Sequence, residues 1–574
     1  MPALVALCRT EMAQQQSVAR GLGQHTGMEP VLSLLGIGPS GRALGMQAGL
    51  VAASGGALLQ ALTITAACAK SEWGVGESRG ARLSTGVIVG QIVGAVLWAA
   101  TADVVGRKEA CCLSCVVGAG GAVVCAFAAS FDVLVVASAV VGVAVAGTTL
   151  GPYVLAVERA PAASRGAFAT TLALFAALGS AGAALAHALI AGGVDVVSAV
   201  GASDGATVGA QWRGVCAVVA LAPFGAAVSC SKRLPESLRW LVQRRRFAAA
   251  RRELDRAAAA NFAGAAGRRR DVLAVFDAAA RAPRPADAAP RAAACRVARS
   301  AASVASLCAC GLEFLLAFGF FSVLSLVRLE FDADGRAAAS AFYAAPRRLD
   351  AAEPCAAVDY GIVASALLSE VLGALAARHL VDRLGRRLTL AACFALAALG
   401  VLALAAPEYV ASLDPLSRDA LVVAMMTSRG ALYGADAVAT VFVAEMHGTE
   451  SRFAALAVAY AAARLGGLVS ASWVVSPNPL STVSLLVTLV NVSAAWAALA
   501  MPSETALAPL DGADPPPPKL PPPQAPPAPA PPVAAAVPAA AAANPFDDDV
   551  LRDAAPSPPL QTAVVDGEKT PLLT

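Results

Sequence analysis

The sequence predicts an all-α membrane protein with twelve transmembrane helices in two similar six-helix halves. Three observations lead there. Hydrophobic residues make up 57% of the 574 and charged residues only 14%, too little charge to cover a water-facing surface of this size. Apolar stretches of bilayer-spanning length recur along the chain, six on each side of a basic segment. Two charged patterns then repeat, in the same order and at equivalent places, in both sets.

A helix needs about 20 apolar residues to cross a bilayer. Stretches of that length lie at 44–69, 84–103, 111–129, 132–154, 167–191 and 211–230. The second set lies at 303–327, 359–380, 388–406, 419–441, 453–475 and 480–501. The first stretch is rich in Gly, Ala and Ser, which weakens its hydropathy. The expected organisation is a cytoplasmic N-terminal tail at 1–43, a bundle at 44–231, a cytoplasmic loop at 232–302, a second bundle at 303–501 and a disordered Pro/Ala-rich cytoplasmic tail at 502–574. The first 40 residues hold no clear signal-peptide pattern. The prolines of 515–518 and 521–523 favour polyproline conformations over a packed core.

Charge sets the expected orientation. The segment 232–300 carries Lys232, Arg233, Arg239, Arg244, Arg245, Arg246, Arg251, Arg252, Arg256 and Arg268 to Arg270. Basic loops stay in the cytoplasm. The connection between the fifth and sixth spans has Asp195 and Asp204 and no Lys or Arg, so it reads as external. An even number of spans puts both termini inside.

The first repeated pattern is Asp103-x-x-Gly106-Arg107-Lys108, echoed by Asp382-x-x-Gly385-Arg386-Arg387. Each follows the second span of its half. The other is Glu158 with Arg165 seven residues on, echoed by Glu445 with Arg452. Each follows a fourth span. Parallel repeats of this kind are a transporter architecture. Gly86, Gly90 and Gly94 recur every four residues, which gives one small helix face and a close neighbour.

These residues carry a resemblance. Gly90 to Lys108, GQIVGAVLWAATADVVGRK, is similar to the loop signature of the major facilitator superfamily. Pro235 to Leu241, with Glu236 and Arg239, resembles the PESPRWL motif of sugar porters. Pro152-Tyr153, Glu158, Pro161 and Arg165-Gly166 resemble the helix 4–5 motif of the same group. Within it the chain looks most like the synaptic vesicle two-related and organic-ion branch. Glu72-Trp73, Glu370, Arg429, Glu445, Thr449, Arg452 and Ala463 to Gly467 carry that likeness. Departures are Ser138 near the place of a helix 4 arginine, Gly448 in place of a proline, and no acid in the first span. The resemblance implies a major facilitator fold and a monomer. It also implies that each repeated charge group forms an ion-pair network at the cytoplasmic surface, locking an inner gate.

Charges deep in a bilayer are costly and mark function or pairing. Glu313, Glu370, Arg429, Asp436 and His187 lie inside spans and are candidates for substrate or proton binding. Arg429 and Asp436 are seven apart and share a helix face. As structural pairs, Arg429 joins Asp436 or Glu370. Asn544-Pro545-Phe546 and Glu568 with Leu572-Leu573 resemble signals read by clathrin and endocytic adaptors. They would place the chain in plasma, endosomal or vacuolar membranes.

The expected partners are a small-molecule substrate, the lipid bilayer and those adaptors. A net charge of +3 gives no case for nucleic acid. Cys112-x-x-Cys115 has no second ligand pair nearby, which argues against zinc. No cofactor and no enzymatic constellation are indicated. The leading expectation is secondary active transport of a small organic solute, organic ions first, by alternating access, with proton coupling open. The alternatives are a sugar or phosphate symporter and a non-transporting vesicle-membrane receptor.

Overall fold

A computed structural model describes residues 27–191, 208–281, 303–333, 360–409, 418–474, 480–506, 508 and 510. All lie in the first of two compact units, Met1–Ala513 and Asp514–Thr574.

The described residues are helical, without strands. A short helix, α1 (Glu29–Leu35), precedes the first long one. The first half comprises α2 (Gly38–Glu72), α3 (Glu77–Val105), α4 (Arg107–Ala126), α5 (Phe131–Arg159), α6 (Arg165–Ala191) and α7 (Val208–Arg233). Three short helices follow: α8 (Leu238–Gln243), α9 (Phe247–Asn261) and α10 (Ala266–Arg281). The second half comprises α11 (Val304–Ala333), α12 (Tyr360–Leu384), α13 (Arg386–Tyr409), α14 (Arg418–Glu445), α15 (Arg452–Val474) and α16 (Leu480–Ala500). Of these twelve long helices, eleven hold a stretch long and apolar enough to cross a membrane. The twelfth, α14, carries Arg429 and Asp436 along its length.

The halves repeat one packing scheme. In the first, α2 packs on α6, α3 on α5 and α4 on α7; in the second, α11 packs on α15, α12 on α14 and α13 on α16. Two contacts join the halves in the same symmetric way, α6 with α12 and α3 with α15. Glycine permits the closest approaches. A Cβ at Gly90 would sit 2.0 Å from the Ala139 carbonyl oxygen, and one at Gly373 would sit 1.9 Å from that of Gly430. The small face at Gly86, Gly90 and Gly94 therefore seats α5 against α3.

Three boundaries differ from the sequence expectation. The segment 1–43 is not only a tail: α1 is docked, and α2 begins at Gly38. Pro30 starts α1 and Gly36, at φ 65°, ends it. Its Val31, Leu32 and Leu35 pack with Leu238, Leu254 and Phe276. The described part of the central segment, to Arg281, is thus a helical cap over one end of the first half rather than an open loop. The stretch after 501 is also partly docked, since Glu504, Thr505 and Ala506 are buried. Both segments lacked an apolar run long enough to signal burial on their own.

Candidate functional site

The repeated charges meet at the end of the bundle that carries the cap. In each half the chain turns sharply between two long helices at a glycine, Gly106 at φ 121° and Gly385 at φ 85°. Side chains with a Cβ avoid these conformations. A carboxylate then covers the new helix start. Glu236 accepts hydrogen bonds from the amides of Arg107 and Lys108 at 3.1 and 3.3 Å. Glu504 does the same for Arg386 and Arg387 at 2.9 and 3.1 Å. Such amides carry the positive end of the helix dipole. A Cβ at Gly106 would lie 2.2 Å from Glu236, and one at Gly385 would lie 2.8 Å from Glu504. Burial pushes the Glu236 carboxyl above its ordinary range, opposed by its amide bonds and by Arg107.

Beneath each turn sits a buried glutamate. The Arg107 guanidinium lies 3.4 Å from Glu158, and the Ser237 hydroxyl donates to Glu158 at 2.5 Å. In the other half Arg386 makes a two-pronged contact with Glu445 at 2.7 and 2.8 Å. Thr505 donates to Glu445 at 2.6 Å. Each helix-end aspartate pairs one turn away, Asp103 with Arg107 at 3.1 Å and Asp382 with Arg386 at 2.9 Å.

The second arginines cross between halves. Arg452 reaches Glu158 at 2.9 Å, and Arg165 approaches Glu445 at 3.7 Å. Asp382 accepts from the amides of Gly166 and Ala167 at 3.1 and 2.8 Å, and Arg107 donates to the Thr449 carbonyl at 3.2 Å. At this end of the bundle Arg107, Glu158, Arg165, Arg386 and Arg452 are fully buried. The cap and the segment after 501 cover them.

Glu236 and Arg239, expected from the motif, both join the network. Arg239 donates to the Glu158 carbonyl at 3.2 Å and to Glu29 at 2.6 Å. Three members were not singled out from sequence: Glu29, Glu504 and Thr505. A signal did exist for two of them. Glu236-Ser237 and Glu504-Thr505 are a third repeat, a carboxylate followed by a hydroxyl, each just past the last helix of its half.

Halfway along the helices the charges are differently placed. Glu370 on α12 and Arg429 on α14 form a buried ion pair. This settles the choice between Asp436 and Glu370 as partner of Arg429. The Arg429 guanidinium also lies 5.5 Å from the Phe320 ring. Glu313 on α11 and Asp436 on α14 act on one another electrostatically, and Arg464 on α15 acts on both. Among the described residues neither side-chain carboxylate holds a hydrogen bond or ion pair. Arg464 stacks 4.3 Å above the Tyr460 ring, and its buried Nε has no partner. It also lines a narrow open cleft between the halves, with Thr63 and Leu62 of α2, Gln91 of α3 and Phe321 of α11. His187 is buried near the far end of α6 from Arg165. Asn544, Pro545, Phe546, Glu568, Leu572 and Leu573 lie outside the described residues.

Residues 51–287 match the family model described as sugar (and other) transporter. No curated protein matches the chain. Among solved structures, the chain is similar to a major facilitator superfamily proton:xylose symporter, XylE, bound to 6-bromo-6-deoxy-D-glucose. The identity is 17% and the TM-score 0.61, over 82% of this chain and 98% of that one. It is also similar to the Escherichia coli xylose transporter XylE in a partially occluded inward-open conformation, at 15% identity and TM-score 0.51 over 79% and 97% of the two chains. At these identities the likeness shows the fold.

Proposed function

We propose, for a multi-pass membrane transporter of the major facilitator fold that resembles the sugar-porter branch and is not an enzyme, that the cargo is a small organic ion moved by alternating access. One observation supports the reading: Glu313 and Asp436 lie buried or half-buried in the middle of the second half, and among the described residues neither carboxylate holds a hydrogen bond or ion pair. A buried carboxylate without a partner is costly. A cationic group of the substrate, or a proton, would relieve that cost. Arg464, with its unpartnered Nε beside the cleft, would hold an anionic group of the same solute or keep one carboxylate ionised.

The charge network serves as the gate. The positive-inside rule puts its end, with the basic cap, in the cytoplasm. As it stands, that end is closed by contacts from Arg452 to Glu158 and from Asp382 to the start of α6. Inward opening must separate these pairs, while those within one half can stay. Contacts between the halves that hold in one state and must break in the other give the two-state element that alternating access requires.

A sugar is the second reading, because the matching family model is a sugar transporter's. That match ends at 287, before the half that carries Glu313, Asp436 and Arg464. A neutral sugar would use these groups only through hydroxyl hydrogen bonds or proton coupling, whereas an organic ion would use their charge directly. The test is thermal unfolding of purified protein against organic cations, organic anions and sugars at several pH values. A ligand that binds the folded state raises the midpoint. The ionic reading requires a shift from an organic ion that is lost in Asp436→Asn. A shift from sugars alone would replace it with the second reading.

A further inference from the structure

The two cross-half pairs of the network are related by the internal repeat, yet they are not equal. Arg452 sits 2.9 Å from Glu158, its carboxylate in the opposite half. Its counterpart Arg165 sits 3.7 Å from Glu445, beyond a strong hydrogen bond. Several contacts bear on the difference. Glu29 of α1 takes both hydrogen bonds of the Arg165 Nη2, at 2.9 and 3.0 Å, while Nη1, the atom nearest Glu445, donates to the Ala508 carbonyl at 3.0 Å, and Glu445 is itself held by Arg386 and Thr505. The same carboxylate accepts from Arg239 at 2.6 Å and from the Ala162 amide at 2.8 Å. Among the described residues, Glu158 is the one carboxylate bonded to Arg452.

Glu29 travels with the first half. Its helix is packed into the cap. The cap is tied to that half by Glu236 on α4, by Arg239 on the end of α5 and by Trp240 on the Asp103 carbonyl. When the halves part at this end, Arg165 leaves Glu445 and keeps Glu29. A buried arginine that lost its only carboxylate would carry a large penalty. Glu29 removes that penalty from the open state and weakens the cross-half contact in the closed one.

We infer that Glu29 is a competing acceptor for Arg165 that biases the network towards opening, so that the segment before α2 regulates the gate. The inference rests on the alternating-access reading given above. It makes α1 a control element. Anything that lifts α1 off the cap would return Arg165 to Glu445 and hold this end shut.

The test uses the full chain in detergent, with spin labels at the exposed ends of the two halves, Glu109 and Arg383. The labels go on by non-cysteine chemistry because the chain has 13 cysteines. Pulsed spin resonance reads narrow and wide distances. Glu29→Gln should lower the wide-to-narrow ratio by roughly tenfold, about the net worth of one charge-assisted hydrogen bond. In a Glu445→Gln background the same substitution should change little, since the rival acceptor is gone. An unchanged or raised ratio in Glu29→Gln overturns the inference, as does an equal fall in both backgrounds. Should Glu29→Gln not fold, Glu29→Asp keeps the charge on a shorter arm, and a smaller fall is expected; a rise overturns it. A single distance in the wild type under every pH and ligand would sink the alternating-access reading and this inference together. Two distances with no response to Glu29 would sink the inference alone.

Discussion

The two charged regions of this protein are opposites. At the capped end, Glu158 and Glu445 are buried, and each is held by an arginine of its own half, a hydroxyl and an arginine of the other half. In the middle of the second half, neither the Glu313 nor the Asp436 carboxylate has a hydrogen bond or ion pair among the described residues, and Arg464 is their nearby opposite charge. Both regions pay the desolvation of ionised groups, but only the first recovers it from protein contacts. Charge that is fully paired fixes an arrangement of helices. Charge left unpaired in a low-dielectric setting waits for something else to neutralise it. On the proposed function, the first region is the gate and the second the binding site.

Removing a paired carboxylate should have the largest effect. Glu158→Ala leaves Arg107 and Arg452 buried without it, so about 3–5 kcal/mol of stability should be lost. Chemical or thermal unfolding in detergent would show this as a large drop in midpoint. A loss under about 0.5 kcal/mol, the range of an ordinary surface change, would mean that the network does not hold the closed form. The centre should behave differently. Asp436→Asn breaks no hydrogen bond or ion pair among the described residues, so stability should fall far less than in Glu158→Ala, while uptake into proteoliposomes of whichever solute stabilises the wild type should fall at least about tenfold, a difference of roughly 1.4 kcal/mol. Uptake unchanged in both Asp436→Asn and Glu313→Gln would take the binding role from this pair.

Much of the scaffold behind the comparison was legible in the sequence. The repeated Asp-x-x-Gly-Arg and Glu-x6-Arg patterns located both turns and both buried glutamates, because each position is set by local geometry: a positive φ at Gly106 and Gly385, and a charge one turn away. What the patterns could not give was the crossing. Nothing in the spacing says that Arg452 pairs with Glu158 rather than Glu445, since that contact spans 294 positions and needs both halves in place. The buried ends were equally hidden. Val31, Leu32 and Leu35 form an apolar face on a helix of only seven residues, and it means burial only once α8 to α10 supply the other side. Arg464 lay inside a quoted motif, but its isolation near Glu313 and Asp436 depends on three different helices.

A smaller effect tests the rigid part of the frame. Gly90→Ala forces a methyl against the Ala139 carbonyl, where 2.0 Å is available. Overpacking of this kind costs about 1–3 kcal/mol. Gly120, on α4, has nothing within 4 Å of the corresponding position. Gly120→Ala should therefore stay within about 0.5 kcal/mol of wild type. Equal midpoints for the two variants would mean that α3 and α5 are less closely seated than they stand.

The smallest effect concerns the helix cover at Glu236, and its sign follows from burial. The Glu236 carboxyl is pushed up, chiefly by desolvation, so the folded protein holds its proton more tightly than the unfolded chain does. Stability from this group is then fully present below the ordinary carboxylate value of 4.5 and is lost as pH rises through the raised folded value. Glu236→Gln cannot titrate. The stability of wild type relative to Glu236→Gln should therefore decline as pH rises from below 4.5, then level off once the carboxyl has ionised. Unfolding midpoints of the two proteins, measured in parallel across that range, check the slope. A relative stability that climbs with pH would mean that the amides of Arg107 and Lys108, with the Arg107 charge, outweigh burial. The helix start would then behave like the paired glutamates below it.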